Sequence, residues 1–171
     1  MEQNKLFLIC PFSNLEHFIR RIHGTDVYFM TSMATSFNFD REYIKMIADF
    51  LDRKMITHIY VVNDTSCRFM NGLIEQNISS GSEAEKNLEA LFMDNQKIIM
   101  KQSSILDKVK LLSEINIHKQ ISNIREHDII LSMIEKNNIS IKGLITNKAA
   151  KTYIELNVEK YECGTFDRQH N

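Results

Sequence analysis

Thr57-His-Ile-Tyr-Val-Val62 is an apolar run that does not alternate, and such a run has few structures open to it. A strand with one wet face shows every second residue to water. A continuous run needs cover on both faces, which is the condition of a parallel strand inside an α/β layer. Lys5-Leu-Phe-Leu-Ile-Cys10 has the same character and is stopped by Pro11. Asp26-Val-Tyr-Phe-Met30, rich in aromatic and β-branched residues, is a third strand.

Helical spacing fills the intervals. Ser13 is placed to cap a helix carrying Leu15, Phe18, Ile19 and Ile22 on one face, closed by Gly24. Asp40 is a good N-cap for a helix in which Tyr43, Ile44, Ile47, Phe50 and Leu51 recur. A break at Ile78-Ser-Ser-Gly81 precedes a polar helix near 82–93. A long helix follows over about 104–124, with Leu106, Val109, Leu112, Ile117, Ile121 and Ile124, and another over about 128–136. Ile139-Ser-Ile-Lys-Gly-Leu-Ile145 reads as a late strand and Thr152 to Leu156 as a weaker one. Strands alternating with helices imply right-handed βαβ crossovers. The expected fold is a single α/β domain over 1–171, a mostly parallel central sheet flanked by helices, with a loose polar tail from about 164.

Composition removes several functions. Twenty-one basic residues against 22 acidic ones leave a net charge of −1, so a nucleic-acid partner is not expected. No stretch reaches the ~18 apolar residues that cross a bilayer, and the N-terminus enters a strand without a leader pattern. Three cysteines, Cys10, Cys67 and Cys163, have no framework spacing, so reduced thiols in a cytoplasmic setting are expected. There is no nucleophile elbow, phosphate loop or dinucleotide fingerprint. Met30, Met33 and Met46 read as core filler, and the histidines as surface or half-buried side chains.

In an open parallel sheet, ligands bind beyond the carboxyl ends of the strands. Two such ends carry reactive side chains: Cys10, and the segment Asn63-Asp-Thr-Ser-Cys67. If the strands are neighbours, Cys10, Asp64 and Cys67 converge, and two thiolates with a carboxylate are competent zinc ligands. The alternative is structural. Cys10 is then a small apolar strand end, Asp64 and Thr65 cap the helix starting near Ser66, and Cys67 is a first-turn residue.

These segments resemble the β-class carbonic anhydrases. Ile59-Tyr-Val-Val-Asn-Asp-Thr-Ser-Cys67 is similar to that family's strand and His-Thr-x-Cys zinc motif, and Ile9-Cys-Pro-Phe-Ser-Asn14 to its Cys-x-Asp-Ser-Arg motif. Asp26-Val-Tyr-Phe-Met30 falls where the family has Gly-Asp-x-Phe-Val. Asn116-Ile-His-Lys-Gln-Ile121 and Ile139 to Ile145 resemble its Asn-Val-x-x-Gln helix and Val-x-Gly strand. The resemblance runs from about Lys5 to Leu156 in family order, and implies zinc at Cys10, Asp64 and Cys67, with Asp64 replacing histidine.

It also implies impaired chemistry. The family's Asp-Arg pair, which orients metal-bound water, falls on Phe12 and Asn14. Neither accepts that proton or supplies a guanidinium fork. A glycine position holds Arg68, read either as a cation for an anionic small molecule or as a solvent-facing arginine. The expectation is a carbonic anhydrase-like protein with carbon dioxide hydration lost or strongly impaired. Two alternatives are a metal-dependent lyase or hydrolase for another small substrate, and a non-catalytic binding or scaffolding protein. The family's N-terminal partner-embracing helices have no counterpart before the first strand, so the homo-oligomer it implies stays open.

Overall fold

The computed structural model describes residues 3–37, 40–77, 81–156 and 158. Five strands, β1 (Asn4–Ile9), β2 (Val27–Thr31), β3 (Ile56–Asp64), β4 (Ser140–Asn147) and β5 (Thr152–Leu156), form one sheet in the order β2-β1-β3-β4-β5. The first four are parallel, and β5 runs antiparallel against β4. Six helices flank or cap the sheet: α1 (Glu16–His23), α2 (Arg41–Arg53), α3 (Arg68–Ile74), α4 (Glu83–Ile99), α5 (Ile105–Arg125) and α6 (Asp128–Lys136). The expected α/β fold with a mostly parallel sheet is the fold observed.

The continuous runs are continuous because both faces are used. Leu6 and Leu8 of β1 with Ile59 and Val61 of β3 pack against Ile44, Ile47 and Leu51 of α2 and Ile117, Ile121 and Ile124 of α5. The alternate residues, Phe7, Ile9, Tyr60 and Val62, pack on the other face against Leu15, Phe18 and Ile19 around α1. A third cluster lies beyond the strand ends. Cys10, Cys67, Phe69 and Met70 meet Leu88, Phe92 and Ile99 of α4 and Val109 and Leu112 of α5 there. These last contacts extend α4 to Ile99, beyond the expected end near 93, because its sparse apolar stripe continues to Ile99.

Several local signals act as expected. The Asp40 carboxylate accepts the backbone N–H groups of Glu42 (3.1 Å) and Tyr43 (2.8 Å), capping α2. Ser82 and Glu85 form a reciprocal capping box at α4. Gly24 closes α1 at φ +87°. Met46 departs from the core-filler reading. It is 53% exposed on the outer side of α2, whereas Met30 and Met33 are part-buried against apolar clusters. The loose-tail expectation, Cys163, and residues 78–80 of the expected break lie outside the described residues. Among the described residues no helix is long and apolar enough to cross a membrane.

Gly143 sets how closely α5 approaches the sheet. A Cβ there would lie 2.6 Å from Ile117 Cγ2 and 3.1 Å from Leu156 Cβ, so even one methyl does not fit without movement. Gly143→Ala is expected to cost about 1–3 kcal/mol through overpacking. Urea unfolding checks this, and a change within error of zero would mean that α5 shifts freely on the sheet.

Candidate functional site

The pairing of β1 with β3 brings their carboxyl ends side by side, with Leu8 opposite Val61. Cys10 follows β1 and leads into a single 3₁₀ turn, Pro11–Ser13. Cys67 follows β3 by a short turn and stands at the N-terminus of α3. Both thiols are buried, at 2% and 4% exposure, in one apolar cluster. The sequence has Cys10, Asp64 and Cys67 converging if the two strands are neighbours, and β1 and β3 are neighbours.

Their protonation is unequal. The hydrogen bond from Cys67 is the largest influence on Cys10. The backbone N–H groups of Phe12 and Ala34 and the Ser13 hydroxyl add to it, and together they overcome burial and bring Cys10 from 9.0 down to about 6. Cys67 is pushed far up, first by that same contact with Cys10 and then by burial.

The backbone beside Cys10 is left-handed, at φ 53° for Ala34 and 57° for Thr35. Non-glycine residues adopt this conformation at a cost of about 1–2 kcal/mol each. A buried network offsets that cost. Asn116 Nδ2 donates to the Ala34 carbonyl (3.1 Å) and to Asn63 Oδ1 (3.0 Å). Asn63 Nδ2 donates to Thr35 Oγ1 (2.9 Å), which donates to the Val62 carbonyl (3.1 Å). Gln120 Nε2 donates to Asn116 Oδ1 (3.4 Å), and its Oε1 accepts the Phe37 N–H (3.3 Å). Asn116 and Gln120 were visible in the sequence only through the family-like helix, and Asn63 and Thr35 carried no signal of their own.

Asp64 behaves differently from a metal ligand. Its Oδ1 accepts the Ser66 N–H (2.9 Å) and the Ser66 hydroxyl. Its Oδ2 accepts the Thr146 hydroxyl (2.6 Å) and the Lys148 N–H (3.1 Å). Four donors occupy the carboxylate, and the two from Thr146 and Lys148 tie the end of β3 to the end of β4. The Lys148 ammonium reaches on to the Ser13 carbonyl at 2.7 Å, joining the same strap to the turn after β1. The structural alternative for Asp64, a cap on the helix near Ser66, is not what forms: α3 is N-capped by Cys67 with no side-chain bond, and Asp64 closes the turn before it and ties the strand ends. Among the described residues no group of three or more His, Cys, Asp or Glu side chains is arranged to hold a metal ion. As folded, the three candidate donors do not fit the tetrahedral zinc of the family the chain resembles, because the third, Asp64, is fully engaged by hydrogen bonds.

Phe12 and Arg68 also meet across the two strand ends. The guanidinium of Arg68 lies 4.4 Å from the Phe12 ring centroid and 4.8 Å from that of Phe69, and the two rings pack edge to face at 5.5 Å. Phe12 remains 51% exposed. Arg68 is thus a solvent-facing arginine held by two aromatic faces. Asn14 is exposed at φ 48° and ends the 3₁₀ turn, a left-handed position that asparagine tolerates. An open cleft of about 560 Å³ lies nearby, lined in part by Ser32, Met33, Ser36, Ser82, Asn123 and Glu126. Cys10, Phe12, Asn14 and Arg68 do not line it.

A parallel α/β sheet with its reactive side chains at adjacent strand ends defines the class. Within that class, solved structures narrow the fold. The β-carbonic anhydrase CafA of Aspergillus fumigatus superposes with a TM-score of 0.76 at 15% identity, over 93% of this chain and 77% of that one. CafD of the same fungus gives 0.74 at 18% identity, over 91% and 90%. One of two tetrameric β-carbonic anhydrases from Sordaria macrospora gives 0.75 at 15% identity, over 91% and 81%. The sequence matches no protein-family model and no curated protein. The chain has a β-carbonic anhydrase-like fold.

Two predictions follow from this geometry. Asp64→Ala leaves the Thr146 hydroxyl and three further donors without their acceptor and is expected to cost about 3 kcal/mol. Chemical denaturation reads this out, and a neutral result would free Asp64 from its structural role. For Cys10, the folded value lies below the ordinary one, so its ionisation stabilises the fold fully above about pH 9 and loses that effect as pH falls through about 6. The Tm gap between the native chain and Cys10→Ser should therefore widen from pH 6 to pH 9. Thiolate ultraviolet absorbance should show a step near pH 6 that the variant lacks, and a gap independent of pH would remove the low-lying thiolate.

Proposed function

We propose that this chain is a carbonic anhydrase-like protein in which carbon dioxide hydration is lost or strongly impaired. The observation that carries this reading is Asp64. At the position that the resemblance gives to the third zinc ligand, a carboxylate accepts four hydrogen bonds, two closing the local turn at Ser66 and two holding the end of β3 to the end of β4. Recruiting it to a metal would leave those donors unmet, a cost of several kcal/mol before any bond to zinc is counted.

The neighbouring positions support the same reading. Where the family has a carboxylate that handles the proton of bound water, Phe12 offers a ring that packs on Arg68 and Phe69. Where it has arginine, Asn14 serves a left-handed turn. Losing positioned proton transfer alone costs about 10²–10⁴ in rate. Zinc, if supplied, would meet Cys10 and Cys67 as its soft ligands, and Asp64 only after the strand-end tie opened.

The test is stopped-flow carbon dioxide hydration by reduced protein, before and after zinc is offered, with metal content measured on the same samples. The expected rate is at least about a hundredfold below an active β-class enzyme run beside it, with or without zinc. Zinc-dependent hydration comparable to that enzyme would overturn the reading.

A further inference from the structure

We propose that His23 is an acid-sensitive latch: neutral, it holds the last turn of α1 on the sheet, and protonated, it releases that turn. The inference concerns the face of the sheet under α1 rather than the strand ends, and it stands whether or not Cys10 and Cys67 bind zinc.

The enclosure of the ring carries it. Three strands supply aromatic walls: Phe7 of β1 at 5.0 Å, Tyr60 of β3 at 5.1 Å and Tyr153 of β5 at 6.2 Å between centroids, tilted by 48–51° to the imidazole. Inside these walls His23 Nε2 is buried and has no hydrogen-bond partner. As a bare lone pair, that nitrogen forgoes one bond. As a charged N–H it is desolvated and has no acceptor, which is the far costlier state. The ring faces attract a cation, but only weakly against that loss.

The surrounding charges act mostly in the same direction. From β1, the Lys5 ammonium reaches the His23 carbonyl at 3.4 Å. From β3 comes His58, opposite Lys5 in the register, and from β4 comes Lys142, opposite Tyr60. Glu155 of β5 faces the ring too, but it is paired with Lys142 at 2.7 Å. β2 has no charged residue, and α1 itself adds Arg20 and Arg21, stacked on Phe29 and Phe18. Burial first, then Lys5, hold the imidazole below its ordinary 6.5; Glu155 opposes them, and Lys142 and His58 add to them.

What opens is small. α1 has eight residues, anchored by buried Phe18 and Ile19. Beyond these, the Gly24 N–H donates to the Arg20 carbonyl at 3.0 Å and the Arg20 guanidinium to the Thr25 carbonyl at 3.4 Å, in an exposed turn. The open form takes up its proton near pH 6.5 and the closed form only at lower pH. Closure is therefore fully stabilised above about pH 6.5 and weakens as pH falls below it.

The experiment is hydrogen exchange on the full chain at about pH 7.5 and 5.5, corrected for intrinsic rates, with the His23 ring titrated by NMR. The opening constant of residues 20–26 should rise several-fold, to a limit of about tenfold for one proton taken up on opening. The ring should titrate below 6.5. His23→Phe keeps an aromatic ring that takes no proton and should abolish the rise, whereas His58→Gln should retain it. An opening constant equal at both pH values, a rise that persists in His23→Phe, or a ring that titrates at or above 6.5 would overturn the inference. The first and last of these are read on the native chain, so they decide even where His23→Phe fails to fold.

Discussion

Burial of β1 and β3 on both faces is the constraint from which the rest of the molecule follows. Neither strand tolerates water on either side, since Leu6 and Leu8 point into one apolar cluster and Phe7 and Ile9 into another. Two layers of helix are therefore required, the connections between strands become crossovers, and the strands run parallel. Parallel neighbours end on the same side of the sheet. The juxtaposition of Cys10 and Cys67 is thus a by-product of where apolar surface has to go. The thiols need no attraction of their own to meet.

The contact they make is shaped by groups that do not react. Asn116 and Gln120 reach from α5 into the gap beyond β3, and through Asn63 and Thr35 they hold two non-glycine residues in a left-handed turn. A buried polar network of this kind stabilises only when each member is satisfied, so it specifies one arrangement of the turn. Asp64 does the corresponding work on the other side, joining β3, β4 and the turn after β1 through Thr146 and Lys148.

Much of the fold was legible in the sequence because its signals are local. The apolar runs, the Asp40 cap and the spacing of Ile117, Ile121 and Ile124 act within a few residues of themselves. Cys10 and Cys67 were legible as a pair because neighbouring parallel strands leave little freedom at their ends. The role of Asp64 was not legible. A carboxylate three residues before a cysteine reads equally as a ligand or as a turn, and the decision lies with Thr146 and Lys148, more than eighty positions away. Met46 was misplaced for a related reason. Methionine satisfies a core or a surface position with similar ease, so its outward direction depends on how α2 is rotated on the sheet. Solved β-carbonic anhydrases share this fold at 15–18% identity, a level at which the backbone is kept while side chains at strand ends are free to change.

Gly143 has a consequence beyond β4. Ile117, the side chain it admits so closely, directly follows Asn116, which grips the Ala34 turn. The missing side chain on the sheet therefore works as a spacer gauge: it lets α5 lie close, and with α5 comes Asn116, which holds the Ala34 carbonyl. A left-handed turn at one end of the sheet thus depends on a hydrogen atom in the middle of it, on a strand that the turn does not belong to.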